Sequence, residues 1–136
     1  MYQILPKLYL SNFRDAQNAP HDWYIINCSK DLPMVGPGLR LPINDDLSME
    51  AFMTMEMHLP RIIQEIDRVR GSGQTVLVHC FAGQQRSAAV VAAYLMSKGL
   101  TREQAIDYIK SVKFDAFFMG VNFDPVLRHY SRASAA

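Results

Sequence analysis

The 136-residue sequence predicts one α/β domain, a central, mostly parallel twisted sheet flanked by helices. Three observations predict it. Short β-type runs fill the N-terminal third, and helical periodicity fills most of the rest. One apolar run, Thr75–His79 (TVLVH), interrupts the helical part and reads as a central buried strand. A hydrophobic content of 49% with 20% charge is that of an ordinary globular chain with length for one core.

Taken in order, Tyr2–Leu5 and Lys7–Leu10 flank Pro6 as the first two strands. Trp23–Asn27 (WYIIN) is aromatic and β-branched, which suits a buried strand. Lys30–Gly38 (KDLPMVGPG) holds two Pro and two Gly and must be loop. Leu39–Ile43 contains Pro42, which cannot donate to a ladder, so an edge strand is expected. From Ser48 to Arg70, residues Leu59, Ile62, Ile63, Ile66 and Val69 share one helical face. Pro60 predicts a kink there, or two helices meeting, and Gly71-Ser72-Gly73 ends the segment. Ser87–Lys98 is an Ala-rich helix closed by Gly99. Thr101-Arg102-Glu103-Gln104 is a capping box opening a helix to about Val112. A last helix runs from Asn122 to about Ser131 with Pro125 in its first turn. The domain is expected over residues 1–132, with 133–136 a frayed tail.

Fourteen Lys+Arg against thirteen Asp+Glu leave a net charge of +1, so no overall charge draws the chain to nucleic acid or an anionic membrane. The longest uncharged apolar run, Ala88–Met96, is nine residues, and a membrane span needs about 20. Pro6 and Lys7 interrupt the start, which does not read as a signal peptide. Two Cys exclude a disulfide scaffold, and an intracellular, reducing location in cytoplasm or nucleus is expected. No Asp or Glu occurs between Asp67 and Glu103, a window holding Arg68, Arg70, Arg86, Lys98 and Arg102. That window is either a site for a compact anion or a solvated basic face. His21, His58 and His129 show no metal-ligand spacing, so no metal and no cofactor is expected.

One segment carries chemistry: Val78-His79-Cys80-Phe81-Ala82-Gly83-Gln84-Gln85-Arg86-Ser87. It follows a buried strand and opens a helix, where backbone N–H groups converge and bind phosphate-like anions. The same amides stabilise a thiolate at Cys80. Arg86 supplies a planar fork for two phosphate oxygens. Gly83 lets the loop curl, and the Ser87 hydroxyl can donate to the sulfur and help it leave. These are the parts of a nucleophilic attack on phosphorus.

The pattern H-C-x-x-G-x-x-R-S resembles the signature of cysteine-dependent protein phosphatases of the protein tyrosine phosphatase superfamily. The chain is similar to the dual-specificity branch, in its small form consisting of the catalytic domain alone. Pro6-Lys7-Leu8-Tyr9-Leu10 resembles that branch's N-terminal strand and Ile25-Ile26-Asn27 its second core strand. Arg86-Ser87 with Ala93-Tyr94-Leu95-Met96 resembles its signature helix, and Asn122-Phe123 through Leu127 and Tyr130 its closing helix.

The resemblance implies a protein-tyrosine-phosphatase-like fold and hydrolysis of phosphotyrosine and phosphoserine or phosphothreonine on proteins. Cys80 would form a cysteinyl-phosphate that water hydrolyses. Arg86 and the amides of Phe81, Ala82, Gly83, Gln84, Gln85 and Arg86 would hold the phosphate oxygens. His79 would orient the loop and favour the Cys80 thiolate, or serve as a plain structural hydrogen-bonder. An Asp must protonate the leaving oxygen. Asp45, in Leu41-Pro42-Ile43-Asn44-Asp45-Asp46, matches the family's placement, with Asp46 the alternative acid or a cap of the following helix. The partner is a phosphorylated protein, with no membrane and no nucleic acid expected and the oligomeric state open. The same chemistry on a phosphoinositide or an RNA 5′-phosphate, and a silent phosphate-binding module, are the alternatives.

The chain departs from the family at Gln84 and Gln85, where Ser often precedes Arg and lipid-directed relatives often carry Lys. Two neutral amides argue against a pocket for inositol phosphates, and they either position water or are polar filler at the rim. Lys113–Asn122 lacks the family's Pro-Asn pair, and Phe117 and Phe118 either line a substrate groove or pack. Cys28 is an inert buried thiol, or a disulfide partner of Cys80 as in some relatives. Met49, Met53, Met55 and Met57 cannot all share one face, so at least one is exposed.

Overall fold

The computed structural model describes residues 1–135. The strands are β1 (Tyr2–Leu5), β2 (Leu8–Ser11), β3 (Tyr24–Asn27), β4 (Gly38–Arg40) and β5 (Val76–His79). The helices are α1 (Phe13–Ala16), α2 (Met49–Gly71), α3 (Arg86–Ser97), α4 (Arg102–Val112) and α5 (Asp124–Ala135). The sheet order is β1-β2-β5-β3-β4. Only β1–β2 is antiparallel; β2–β5, β5–β3 and β3–β4 are parallel, so the sheet is mixed and mostly parallel, as expected.

Strand alternation sorts the sheet's two faces. Leu8, Leu10, Ile26, Val76 and Val78 join the main core with the buried faces of α2, α3, α4 and α5. Leu77 and Ile25 point the other way, into a small cluster with Ala16 of α1 that is covered by Tyr9, Trp23 and Val35. Every residue of α3 from Ser87 to Met96 is buried. Its Ala residues let neighbouring helices close around it, which makes α3 the axle of the helical layer. The loop after β3 is knotted by buried Asn27, whose Nδ2 donates to the Leu32 carbonyl at 3.0 Å. Ser29 Oγ donates to Asn27 Oδ1 at 2.6 Å, and Arg40 bonds the Ser29 and Leu32 carbonyls at 3.0 and 2.7 Å.

Several boundaries differ from the sequence reading. The four-residue α1 is unforeseen, because its signal is only the Asn12 cap, whose side chain accepts from Asp15 N at 2.8 Å. Pro60 does not divide its segment: α2 is one helix of 23 residues. Pro60 is exposed, while Met55, Leu59, Ile62, Ile63 and Ile66 around it are buried and hold both halves against one core. Each such side chain is worth about 1.5–3 kcal/mol, enough to offset the bond that Pro60 removes. The last helix starts at Asp124 and continues to Ala135, because Ala and Arg beyond Ser131 are good helix formers. The backbone of 133–135 is therefore helical where a frayed tail is predicted, and Ala136 lies outside the described residues.

Candidate active site

The chain leaves the central strand β5 at His79 and enters α3 at Arg86. The six residues between lie beyond the C-terminal ends of the parallel strands, where open α/β sheets hold ligands. Cys80 is buried there. Its Sγ accepts from the Gly83 N–H at 3.3 Å and lies 3.1 Å from Ser87 Oγ. Gly83 has φ of +70°, and a Cβ there would stand 2.6 Å from the Ser11 carbonyl oxygen, so only glycine fits. From the other side Phe13 N donates to the Phe81 carbonyl at 2.9 Å. The β2–α1 junction thus presses the loop into its curl.

His79 is fully buried, and its Nδ1 lies 3.3 Å from the Cys80 carbonyl. Burial pushes its pKa below the ordinary histidine value. A neutral ring donating from Nδ1 is the species that fits, so His79 touches the loop as a hydrogen-bonder and not as a charge. Arg86 Nη1 donates to the Ile43 carbonyl at 3.1 Å, while its buried Nε has no partner among the described residues. The basic window contributes little else to this loop. Arg68 pairs with Glu65, Arg70 bonds Tyr94 and the Pro6 carbonyl, Lys98 pairs with Asp67, and Arg102 pairs with Asp124.

On the segment whose Ile43 carbonyl receives Arg86, Asp45 and Asp46 are both exposed, and the structure distinguishes them. Asp45 Oδ1 accepts from Asn122 Nδ2 at 3.0 Å. Asp46 Oδ1 accepts from the Ser48 N–H at 3.1 Å, and Ser48 is itself the N-cap of α2, accepting from Ala51 N at 3.0 Å. Through its hydroxyl and backbone N–H, Ser48 holds the Asp46 carboxyl below the usual range. Asp46 therefore braces the start of a helix.

Gln84 and Gln85 are not rim filler. Gln85 is buried, and each end of its amide is used: Nε2 donates to the Phe118 and Gly120 carbonyls at 3.0 and 2.8 Å, and Oε1 accepts from Asn122 N at 2.9 Å. Gln84 receives Phe117 N at its carbonyl at 2.8 Å, and its Nε2 donates to Asp115 Oδ2 at 3.2 Å. Asp115 in turn pairs at 2.5 Å with buried Lys113, whose Nζ lies 3.4 Å from the Ala82 carbonyl. The two glutamines bolt the Cys80–Arg86 loop to the 113–122 segment, and Asn122 carries that attachment to Asp45. The attachment of Lys113, Asp115 and Asn122 to Ala82, Gln84 and Asp45 had no signal in the sequence, since these partners lie 31 to 77 positions away.

Phe117 packs in the core, whereas Phe118 is exposed. Met55 is buried, and Met49, Met53 and Met57 lie exposed along α2 at four-residue spacing. Cys28 and Cys80 are both free thiols, and burial pushes the Cys28 thiol well above its usual range. Among the described residues no three His, Cys, Asp or Glu side chains converge where an ion would sit, and no helix is long and apolar enough to cross a membrane.

Residues 8–133 match the family model described as dual specificity phosphatase, catalytic domain. Over 123 residues the chain is 35% identical to human dual specificity protein phosphatase 6, covering 82% of this chain and 31% of that protein. It spans about a third of the length of the curated relatives it matches. The crystal structure of human DUSP28 superposes with a TM-score of 0.85 at 28% identity, covering 99% of this chain and 98% of that one. That of human tyrosine phosphatase-like serine/threonine/tyrosine-interacting protein gives 0.79 at 26% identity, covering 100% and 98%.

Proposed function

The chain belongs to the dual specificity phosphatase catalytic-domain family, and from that premise we propose that residues 1–132 hydrolyse phosphate monoesters on protein tyrosine and serine or threonine side chains. The observation that carries this reading is the environment of the Cys80 sulfur. It is sunk in a loop at a helix N-terminus, 3.3 Å from the Gly83 N–H and 3.1 Å from Ser87 Oγ.

Cys80 Sγ attacks phosphorus in line, and the ester oxygen departs with a proton from Asp45. Amides of Phe81 to Arg86 and the Arg86 guanidinium take the equatorial oxygens, where fixed donors stabilise charge as it develops. The unpartnered Arg86 Nε gains an acceptor in that state; a buried N–H left unpaired otherwise costs about 1–3 kcal/mol. Ser87 Oγ donates to the sulfur as the cysteinyl-phosphate is broken, and Asp45, now ionised, takes a proton from the attacking water. His79 holds the Cys80 carbonyl. Asp45 is favoured as the acid because its carboxyl faces Asn122, whereas Asp46 is committed to Ser48. The nucleophilic thiol suits a reducing compartment, cytoplasm or nucleus.

The test is phosphate release, with reductant present, from matched phosphotyrosine and phosphothreonine peptides by wild type and Cys80→Ser. Release from both peptides that is lost in the variant is the expected result. Binding of the peptides without release by the wild-type chain would instead establish a phosphate-binding module.

A further inference from the structure

The segment that Gln84 and Gln85 pin has an unexplained feature. Phe117 and Met119 have φ of +58° and +66°, a left-handed conformation that costs a non-glycine residue roughly 1 kcal/mol or more. Four hydrogen bonds hold them there: Phe117 N to the Gln84 carbonyl, Gln85 Nε2 to the Phe118 and Gly120 carbonyls, and Gly120 N to the Phe117 carbonyl at 3.0 Å. Core packing accounts for Phe117 alone. The strained turn leaves Phe118 62% and Met119 88% exposed. Phe81, on the Cys80–Arg86 loop itself, is 66% exposed. Large apolar side chains held out into water on a rigid turn mark a contact surface.

Its position says what it contacts. The turn is bonded at one end to the residues that precede Arg86 and at the other, through Asn122, to Asp45. It therefore lies beside the loop that holds Cys80, on the same side as the exposed Asp45. The nearest cation of the turn's own segment, Lys113, is buried and paired with Asp115, so it offers no charge to an incoming chain.

Resting on the hydrolase reading above, we propose that Phe118 and Met119 form an apolar lip that selects phosphoproteins whose phosphorylated residue is flanked by aliphatic or aromatic side chains. Acidic flanks meet the Asp46 carboxylate, next to the turn's partner Asp45, and are disfavoured. The lip acts in substrate binding, since it touches the residues beside the phosphate and not the reacting atoms.

The experiment compares three phosphotyrosine peptides that differ only in the two neighbours of the phosphotyrosine: Leu and Phe, two Ser, or two Glu. A small aryl phosphate, too short to reach the lip, is the reference in each protein. Wild type is expected to prefer the apolar to the Ser peptide by about tenfold in kcat/KM, the value of partly covering one apolar side chain, with the Glu peptide last. In Phe118→Ser/Met119→Ser the apolar-to-Ser ratio falls to near one through KM, while the Ser-to-Glu ratio persists. Equal rates for apolar and Ser peptides in wild type, or an unchanged ratio in the variant, would overturn the lip. Absence of aryl phosphate turnover by wild type would overturn the hydrolase reading and the lip with it.

Discussion

The Cys80–Arg86 loop and the Asp45 segment that Arg86 joins to it are built differently. The Cys80–Arg86 loop is gripped everywhere: Ser11 packs against Gly83, Phe13 N holds Phe81, the two glutamines anchor its far side, and buried α3 lies behind it. The exposed Asn44–Leu47 stretch hangs in solvent between buried Ile43, whose carbonyl accepts from Arg86, and Ser48, with Asn122 bonded to Asp45 and Ser48 N to Asp46. The side proposed to bind the phosphate is thus held in shape by the fold, which suits chemistry dominated by positioning and charge. The side proposed to donate the proton is exposed, and the Arg86 and Asn122 bonds make its place depend on the first. Damage to the rigid side should therefore abolish turnover, and damage to the hanging side should grade it by leaving group.

The largest effect expected is in Cys80→Ser, which reduces phosphate release to background while phosphopeptide binding by calorimetry persists. Next is Gly83→Ala. The added Cβ meets the Ser11 carbonyl at 2.6 Å in a left-handed backbone. It should cost about 1–3 kcal/mol in denaturant unfolding from strain alone, with a loss of turnover on every substrate.

On the hanging side, Asp45→Asn should slow phosphoserine and alkyl esters about 10²-fold and good aryl leaving groups far less. Asp46→Asn should leave rates near wild type and lower stability slightly through the start of α2. The reverse ranking would move the acid by one residue. A finer probe separates the two sides at their joint. Gln85→Ala and Asn122→Ala should each cost about tenfold on poor leaving groups and little on good ones, and the double variant should cost scarcely more than either, because both act through the placement of Asp45. Additive losses on all leaving groups would show that Gln85 supports the anion side alone.

The smallest effect concerns His79. Its folded-state pKa lies below the unfolded value of about 6.5, so the unfolded chain binds the proton more readily. Stability is then full above that value and declines as pH falls through it. In His79→Gln this component of the pH dependence of urea midpoints, measured from pH 8 to 5, should disappear.

Much of this was legible in the chain before any coordinates. Strand periodicity, the capping box at Thr101, the Gly and Pro stops and the His79–Ser87 motif are local patterns, and local sterics and hydrogen bonding suffice to read them. Family likeness in Val76–Met96 likewise pointed to Cys80, Arg86 and Ser87 as the chemical core. The family's placement also favoured Asp45 as the proposed acid and kept Asp46 as the alternative. What only the tertiary structure decided lies in contacts between distant residues. Pro60 is carried inside one helix because the core holds both sides of it. Gln84 and Gln85 become struts because the 113–122 segment returns to meet them, and Asp45 differs from Asp46 because Asn122, 77 residues away, reaches one and not the other. A side chain's role is set by what surrounds it, and for these residues the surroundings come from parts of the chain that only folding brings together.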